Sequence, residues 1–167
     1  MRLKPATSPR LMRLALTLIL TCLVLDQASK LWILYLSGGV EGAVVFRFEP
    51  LGRFMFVYNT GVSFSMLSQL PQFALGGLSL FITALLFYWM TQENDLLTVS
   101  GIALVIGGAL GNAVDRFWLT GVVDFIDLDF FPFDRFIFNL ADCAISLGVA
   151  VLFASWIFVR KPPVAAD

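Results

Sequence analysis

The chain has 167 residues, 59% hydrophobic and 14% charged, with a formal net charge of −1 and no histidine. Soluble domains run at roughly 45–50% apolar and about 25% charged residues, so this composition excludes an ordinary solvated domain and indicates an integral membrane chain. The charge balance carries no signal for nucleic acid, none of which is expected as a partner, and the missing histidine leaves carboxylates as the obvious proton carriers.

A membrane-spanning helix needs about 20 largely apolar residues. Four segments qualify: 11–36, 71–90, 97–117 and 138–159. The expected fold is an all-α membrane bundle of four transmembrane helices with a small extracytoplasmic β-element, one integral membrane domain over 1–167. Arg2, Lys4, Arg10 and Arg13 before the first segment imitate a secretory signal. Leu20 and Thr21 stand where a cleavage site needs small residues, and apolar character resumes from Leu31 to Leu36, so an uncleaved first span is expected. Within it, Asp26 and Lys30 are four residues apart and share a helical face, with the acid N-terminal as helix pairs prefer. The plain interpretation is an interfacial ion pair with Lys30 snorkelling toward headgroups. Cys22 and Cys143 lie in apolar runs without metal or disulfide spacing and are packing residues.

Residues 40–67 have a different texture. Val44-Val45-Phe46-Arg47-Phe48 and Phe54-Met55-Phe56-Val57-Tyr58, punctuated by Pro50, Gly52 and Gly61, predict short strands forming a β cradle on the membrane surface. Asn59-Thr60-Gly61-Val62-Ser63-Phe64 follows. A turn accounts for Gly61, while Asn59 could offer donors and an acceptor to a peptide backbone.

In the third span, Gly107 and Gly111 have the small-xxx-small spacing that permits close helix approach. Asn112, Asp115 and Arg116 crowd its end. Adjacent Asp115 and Arg116 point to different sides and so organise neighbours, with Arg116 a counterion for a nearby carboxylate. Residues 118–137 form an extracytoplasmic loop carrying Asp124, Asp127, Asp129 and Asp134, the last three mostly solvated. Asp142 stands about one turn into the fourth span.

Basic residues before the first span, and Arg160 and Lys161 after the last, place both termini in the cytoplasm. The 91–96 connection, with Glu93, Asp95 and no Lys or Arg, adds no support. In this topology Asp26, Lys30, Asn59, Asn112, Asp115, Arg116 and Asp142 gather near the outer face.

Asp124 and Asp142 carry the sharpest chemistry. Two close carboxyls cannot both ionise cheaply, so the pair shares one proton. The ionised partner activates water while the protonated one donates to a carbonyl oxygen and then to a leaving amine. Asp142 could instead merely cap or pair near a helix start, and spacing alone leaves Asp127 as an alternative second acid. A proton-coupled transporter or channel would extend polar residues toward the cytoplasmic ends of the spans, and a noncatalytic scaffold would explain the glycines but not the acids.

Five blocks in order, Asp26-Gln27-x-Ser29-Lys30, Asn59-Thr60-Gly61-x-x-Phe64, Gly107-Gly108-Ala109-Leu110-Gly111-Asn112-x-x-Asp115-Arg116, Val122-Val123-Asp124-Phe125 and Phe138-Asn139-Leu140-Ala141-Asp142, resemble the bacterial lipoprotein signal peptidases, or signal peptidase II. The resemblance spans nearly the whole membrane core. It implies an intramembrane aspartic endopeptidase of the bacterial inner membrane that removes signal peptides from diacylglyceryl-modified prolipoproteins on the N-terminal side of the lipidated cysteine. By it, Asp124 and Asp142 are catalytic, and Asp26, Lys30, Asn59, Asn112, Asp115, Arg116 and Asn139 surround the site. No metal or organic cofactor is expected, the partners are the lipidated substrate and membrane lipids, and a monomer is expected.

Overall fold

The computed structural model describes residues 7–61, 70–128 and 136–158. Arg2, Lys4, Val62, Ser63, Phe64, Asp129, Asp134, Arg160 and Lys161, which entered the sequence reading, lie outside them.

Four long helices form the bundle: α1 (Pro9–Leu36), α2 (Gln72–Met90), α3 (Leu96–Trp118) and α4 (Leu140–Phe158). All four are long and apolar enough to cross a membrane. The start of α1 is written locally, since the Ser8 side chain accepts from Leu11 N and Pro9 occupies the first turn, where a missing N–H costs nothing. At 28 residues α1 is about 42 Å long, more than a ~30 Å hydrocarbon core requires, so exposed Arg10 and Arg13 in its first turns extend toward the polar zone. Asp95 caps α3 through Thr98 N and also accepts from Ser155 of α4, tying two helices at the end opposite the sheet.

Helix α3 is the centre. Of its most apolar stretch 56% is buried, against 17% in each of the other spans, which therefore turn most of their side chains to lipid. Small residues allow this. A Cβ on Gly107 would meet Cys22 and Ile19 of α1, one on Gly108 would strike the Ala141 carbonyl of α4, and one on Gly111 would strike the Asp26 carboxylate. Gly107 and Gly111 thus both face α1, as the spacing suggested, while Gly108 and Gly101 admit α4. Exposed Trp32, Tyr35 and Trp118 ring one end of the bundle and Tyr88, Trp89 and Trp156 the other, the two-belt pattern of a membrane-spanning protein.

At the first of these ends lies an antiparallel sheet of order β1-β2-β3-β4: β1 (Val44–Arg47), β2 (Gly52–Asn59), β3 (Val122–Leu128) and β4 (Ile137–Phe138). The segment 118–137, expected as a loop, supplies β3 and the first residue of β4. Its Val122-Val123-Asp124-Phe125-Ile126 run is apolar and β-rich after Gly121, and it pairs with β2, burying Val123 and Phe125 against Phe56 and Ile33 of α1. That second small core seats the sheet on the bundle.

Candidate active site

The register of the sheet builds half of the site. Val57 pairs with Asp124 and Asn59 with Val122, so Asn59 and Asp124 are diagonal neighbours on one face. Asn59 Nδ2 donates to Asp124 Oδ2 at 2.9 Å. The amide is held in that orientation because its Oδ1 accepts from Gly61 N at 2.9 Å, in a turn whose φ of +85° suits glycine. The turn and the polar role are therefore one device, and Asn59 spends both ends of its amide inside the protein.

Helix α4 builds the other half. Asn139 Oδ1 accepts from Asp142 N at 3.0 Å while Asp142 Oδ2 accepts from Asn139 N at 3.2 Å, a reciprocal box at the helix start. The helix begins at Leu140, so Asp142 stands in its first turn. Asp142 does cap, but with one oxygen. Its Oδ1 accepts from Asn112 Nδ2 at 2.9 Å.

Asn139 joins the halves. It is fully buried, and its Nδ2 donates to Asp124 Oδ1 at 2.6 Å and to Asn112 Oδ1 at 3.2 Å. Asp124 and Asp142 open into one cavity of about 590 Å³, whose lining also includes Glu41, Val57, Tyr58 and Phe138. Asp124 is buried and Asp142 only partly so. Burial pushes Asp124 up to about 7, with the nearby Asp142 charge adding to the rise against the amide bonds of Asn59 and Asn139 and the charge of Lys30.

Beneath the acids lies a buried ionic cluster. Lys30 Nζ is 2.8 Å from Asp26 Oδ2 and 2.9 Å from Asp115 Oδ2, and it donates to Asn112 Oδ1 at 2.9 Å. Lys30 is only 2% exposed, so the expected snorkelling toward headgroups is corrected: three acceptors inside the bundle outbid the interface. Asp115 also accepts from Val123 N, and Asp26 from Ala141 N. Asp115 and Arg116 do diverge, the Arg116 Nη1 donating to Asn112 O at 3.1 Å. Arg116 lies within electrostatic reach of Asp142, Asp115 and Asp124, and its buried Nε has no hydrogen-bond partner among the described residues.

Asp127 is elsewhere. It alternates to the other face of β3 and is held by Arg53 through contacts of 2.7 and 2.8 Å. Sequence reading missed Gln27 as a site member: its Nε2 donates to Asp26 Oδ2, Gly111 O and Asp115 Oδ1. Its place between Asp26 and Lys30 in a polar tetrad was the available signal. The backbone donors Val123 N and Ala141 N carry no sequence signal.

The family described as Signal peptidase (SPase) II matches residues 18–158. Among similar proteins, one from Caulobacter vibrioides named lipoprotein signal peptidase is 43% identical over 134 residues, covering 77% of each chain. Another of that name from Nitrobacter hamburgensis is 37% identical over 164 residues, covering 93% of this chain and 98% of its own. A third, from Beijerinckia indica, is 38% identical over 134 residues, covering 78% of this chain and 80% of its own. Two solved structures share the fold, both described as a bacterial membrane enzyme obtained by the in meso method. Their TM-scores are 0.78 at 21% identity, covering 96% of this chain and all of that one, and 0.76 at 23% identity, covering 99% and all.

Proposed function

The chain belongs to the signal peptidase II family, multi-pass aspartic-type endopeptidases of the bacterial inner membrane that cleave lipoprotein signal peptides, and from that premise we propose that Asp124 and Asp142 are its catalytic dyad. The observation that carries the assignment is Asn139, which donates to Asp124 from its side chain and to Asp142 from its backbone, holding both acids to one cavity.

The dyad holds one proton, and Asp124, raised to about 7 by burial, is the natural carrier at rest. Asp142, the more accessible acid, takes a proton from water as the water oxygen bonds to the scissile carbonyl carbon. Asp124 gives its proton to the carbonyl oxygen. In the tetrahedral adduct Asp142 passes the proton it took from water to the amide nitrogen while Asp124 recovers a proton from an adduct hydroxyl, the C–N bond breaks, and the signal peptide leaves with a new carboxyl group while the lipidated cysteine keeps the amine. Asn112 and Asn59 hold the carboxylates, and Arg116 tempers their charge.

The substrate is a diacylglyceryl-modified prolipoprotein cut on the N-terminal side of its lipidated cysteine. A monomer binds it from the bilayer, the signal helix among the spans and the acyl chains in lipid, with the sheet above the chain. Both termini are cytoplasmic and the cavity lies near the extracytoplasmic face. In support, the polar cluster, the sheet and one aromatic belt share one end of the bundle.

The test is cleavage of a diacylglyceryl-modified prolipoprotein by purified protein. Asp124→Asn and Asp142→Asn should each lose about 10³-fold or more in turnover while remaining folded, since an amide cannot exchange the proton. Full activity in either variant removes that residue from the dyad.

A further inference from the structure

We infer that Asp26, Lys30 and Asp115 form a positioning triad that sets how far apart the two dyad carboxylates stand. This rests on the assignment of Asp124 and Asp142 above.

The connections are regular. Asp115 Oδ2 accepts at 3.0 Å from the backbone N of Val123, the residue before Asp124. Asp26 Oδ1 accepts at 2.9 Å from the backbone N of Ala141, the residue before Asp142. Each supporting acid thus grips the chain one residue ahead of a dyad acid. Lys30 ties the two grips together, with Asp26 at 2.8 Å and Asp115 at 2.9 Å. Its ammonium has three protons, and the third goes to Asn112 Oδ1. That bond fixes the Asn112 amide so that its Nδ2 faces Asp142 Oδ1. Gln27 Nε2 closes the assembly by bonding Asp26 and Asp115 together.

Such a clamp has work to do. Among the described residues, strand β3 meets the chain leading into helix α4 through the two residue pairs of β3 with β4, Ile126 with Phe138 and Asp127 with Ile137, and through the bond from Asn139 to Asp124. The dyad acids come one from each element, so their separation depends on what locks those elements from below. Three buried charges are a poor way to gain stability, because apolar residues of similar volume commonly do as well. They are a good way to impose one geometry, since each acceptor occupies a fixed direction about Nζ. An arginine keeps the charge but presents a planar fork, which cannot place donors at those three points.

The charge-conserving variant Lys30→Arg is therefore the test, assayed for lipoprotein cleavage beside Asp124→Asn and a packing variant remote from the network, Gly101→Ala. Lys30→Arg should lose about 100-fold in kcat at nearly unchanged KM, the scale of an ångström-sized misplacement, far beyond a packing variant of equal melting temperature. Wild-type kcat, or a loss no greater than that of such a packing variant, overturns the triad. Should Lys30→Arg fail to fold, Gln27→Met decides, since it removes the second bridge between the two acids without altering charge. About tenfold lower kcat at wild-type KM supports the clamp, and wild-type kcat refutes it. An active Asp124→Asn breaks the dyad assignment itself, whereas an inactive one beside a fully active Lys30→Arg breaks only the triad.

Discussion

Asn139 Nδ2 donates to Asp124 Oδ1 at 2.6 Å, joining the cap of α4 to the acid on β3. The same side chain accepts from the backbone N of Asp142 while the Asn139 backbone N donates to the Asp142 carboxylate, so a single residue holds both acids. Hydrogen bonds to charged groups are worth about 1.5–3 kcal/mol, which corresponds to roughly 10–100-fold in rate. Asn139→Ala should lose turnover on that scale, together with about 1 kcal/mol of stability from the lost cap. Asn139→Asp keeps a good cap residue but sets a third carboxylate against the pair. It should melt below the wild type, since a fully buried carboxylate then faces the acceptor oxygens of Asp124 and Asn112, and be less active than Asn139→Ala, as thermal melts and steady-state kinetics on the two variants check.

The alkaline limb of the pH profile is set by Asp124. Its folded pKa of about 7 lies above the ordinary 3.8 because of burial first, with Asp142 adding to it. Above 7 the shared proton is lost and the dyad can no longer protonate the carbonyl oxygen, so kcat/KM should fall as pH rises through about 7. Stability follows the same direction. Between 3.8 and about 7 the native state holds more protons than the unfolded chain, so this group's contribution declines as pH rises through that window. A pH–rate profile that stays flat to well above 7 contradicts the assignment of the proton to Asp124.

Asp127 separates position from type. It is the acid nearest to Asp124 in sequence, yet it faces away from the cavity and pairs with Arg53, which is 28% exposed. Asp127→Asn should leave turnover within about threefold of wild type while costing about 1–2 kcal/mol, a partly solvated pair being worth less than a buried one. Loss of cleavage in a folded Asp127→Asn protein would reverse the choice between the two acids.

Packing of α3 is tested at its glycines. A methyl on Gly108 meets the Ala141 backbone carbonyl, which cannot move without displacing the α4 start, and one on Gly111 meets the Asp26 carboxylate. Overpacking of this kind costs about 1–3 kcal/mol. Gly108→Ala and Gly111→Ala should both lower the melting temperature. Both should also reduce turnover more than Gly77→Ala, whose added methyl meets nothing within 4 Å. Equal behaviour of all three would show that close approach at these points is dispensable.

Much of this was legible from residue types. Four apolar runs of spanning length mark four helices because lipid rewards long uninterrupted apolar stretches whatever their neighbours. Asp26, Lys30, Asn112, Asp115 and Asp142 stood out because charge and amide are costly in such surroundings. The β1–β2 hairpin announced itself through alternation and turn residues. Strand β3 is not legible within the 118–137 loop, although Val122 to Ile126 carries a short β-rich signal, because so brief a run declares its state only once a partner strand is present.

What the sequence determined by itself was the inventory: how many spans, which polar residues resist burial, and that carboxylates are the obvious proton carriers. What the tertiary structure decided was their pairing. Lys30 could snorkel or turn inward, and Asp124 or Asp127 could face the cavity. Those choices depend on strand register, on the glycine faces of α3, and on backbone amides at Val123 and Ala141 that every residue type offers alike. Hydrogen bonds between distant segments are satisfied only when those segments meet, so the site's acids are written in the chain, and their geometry exists only in the fold.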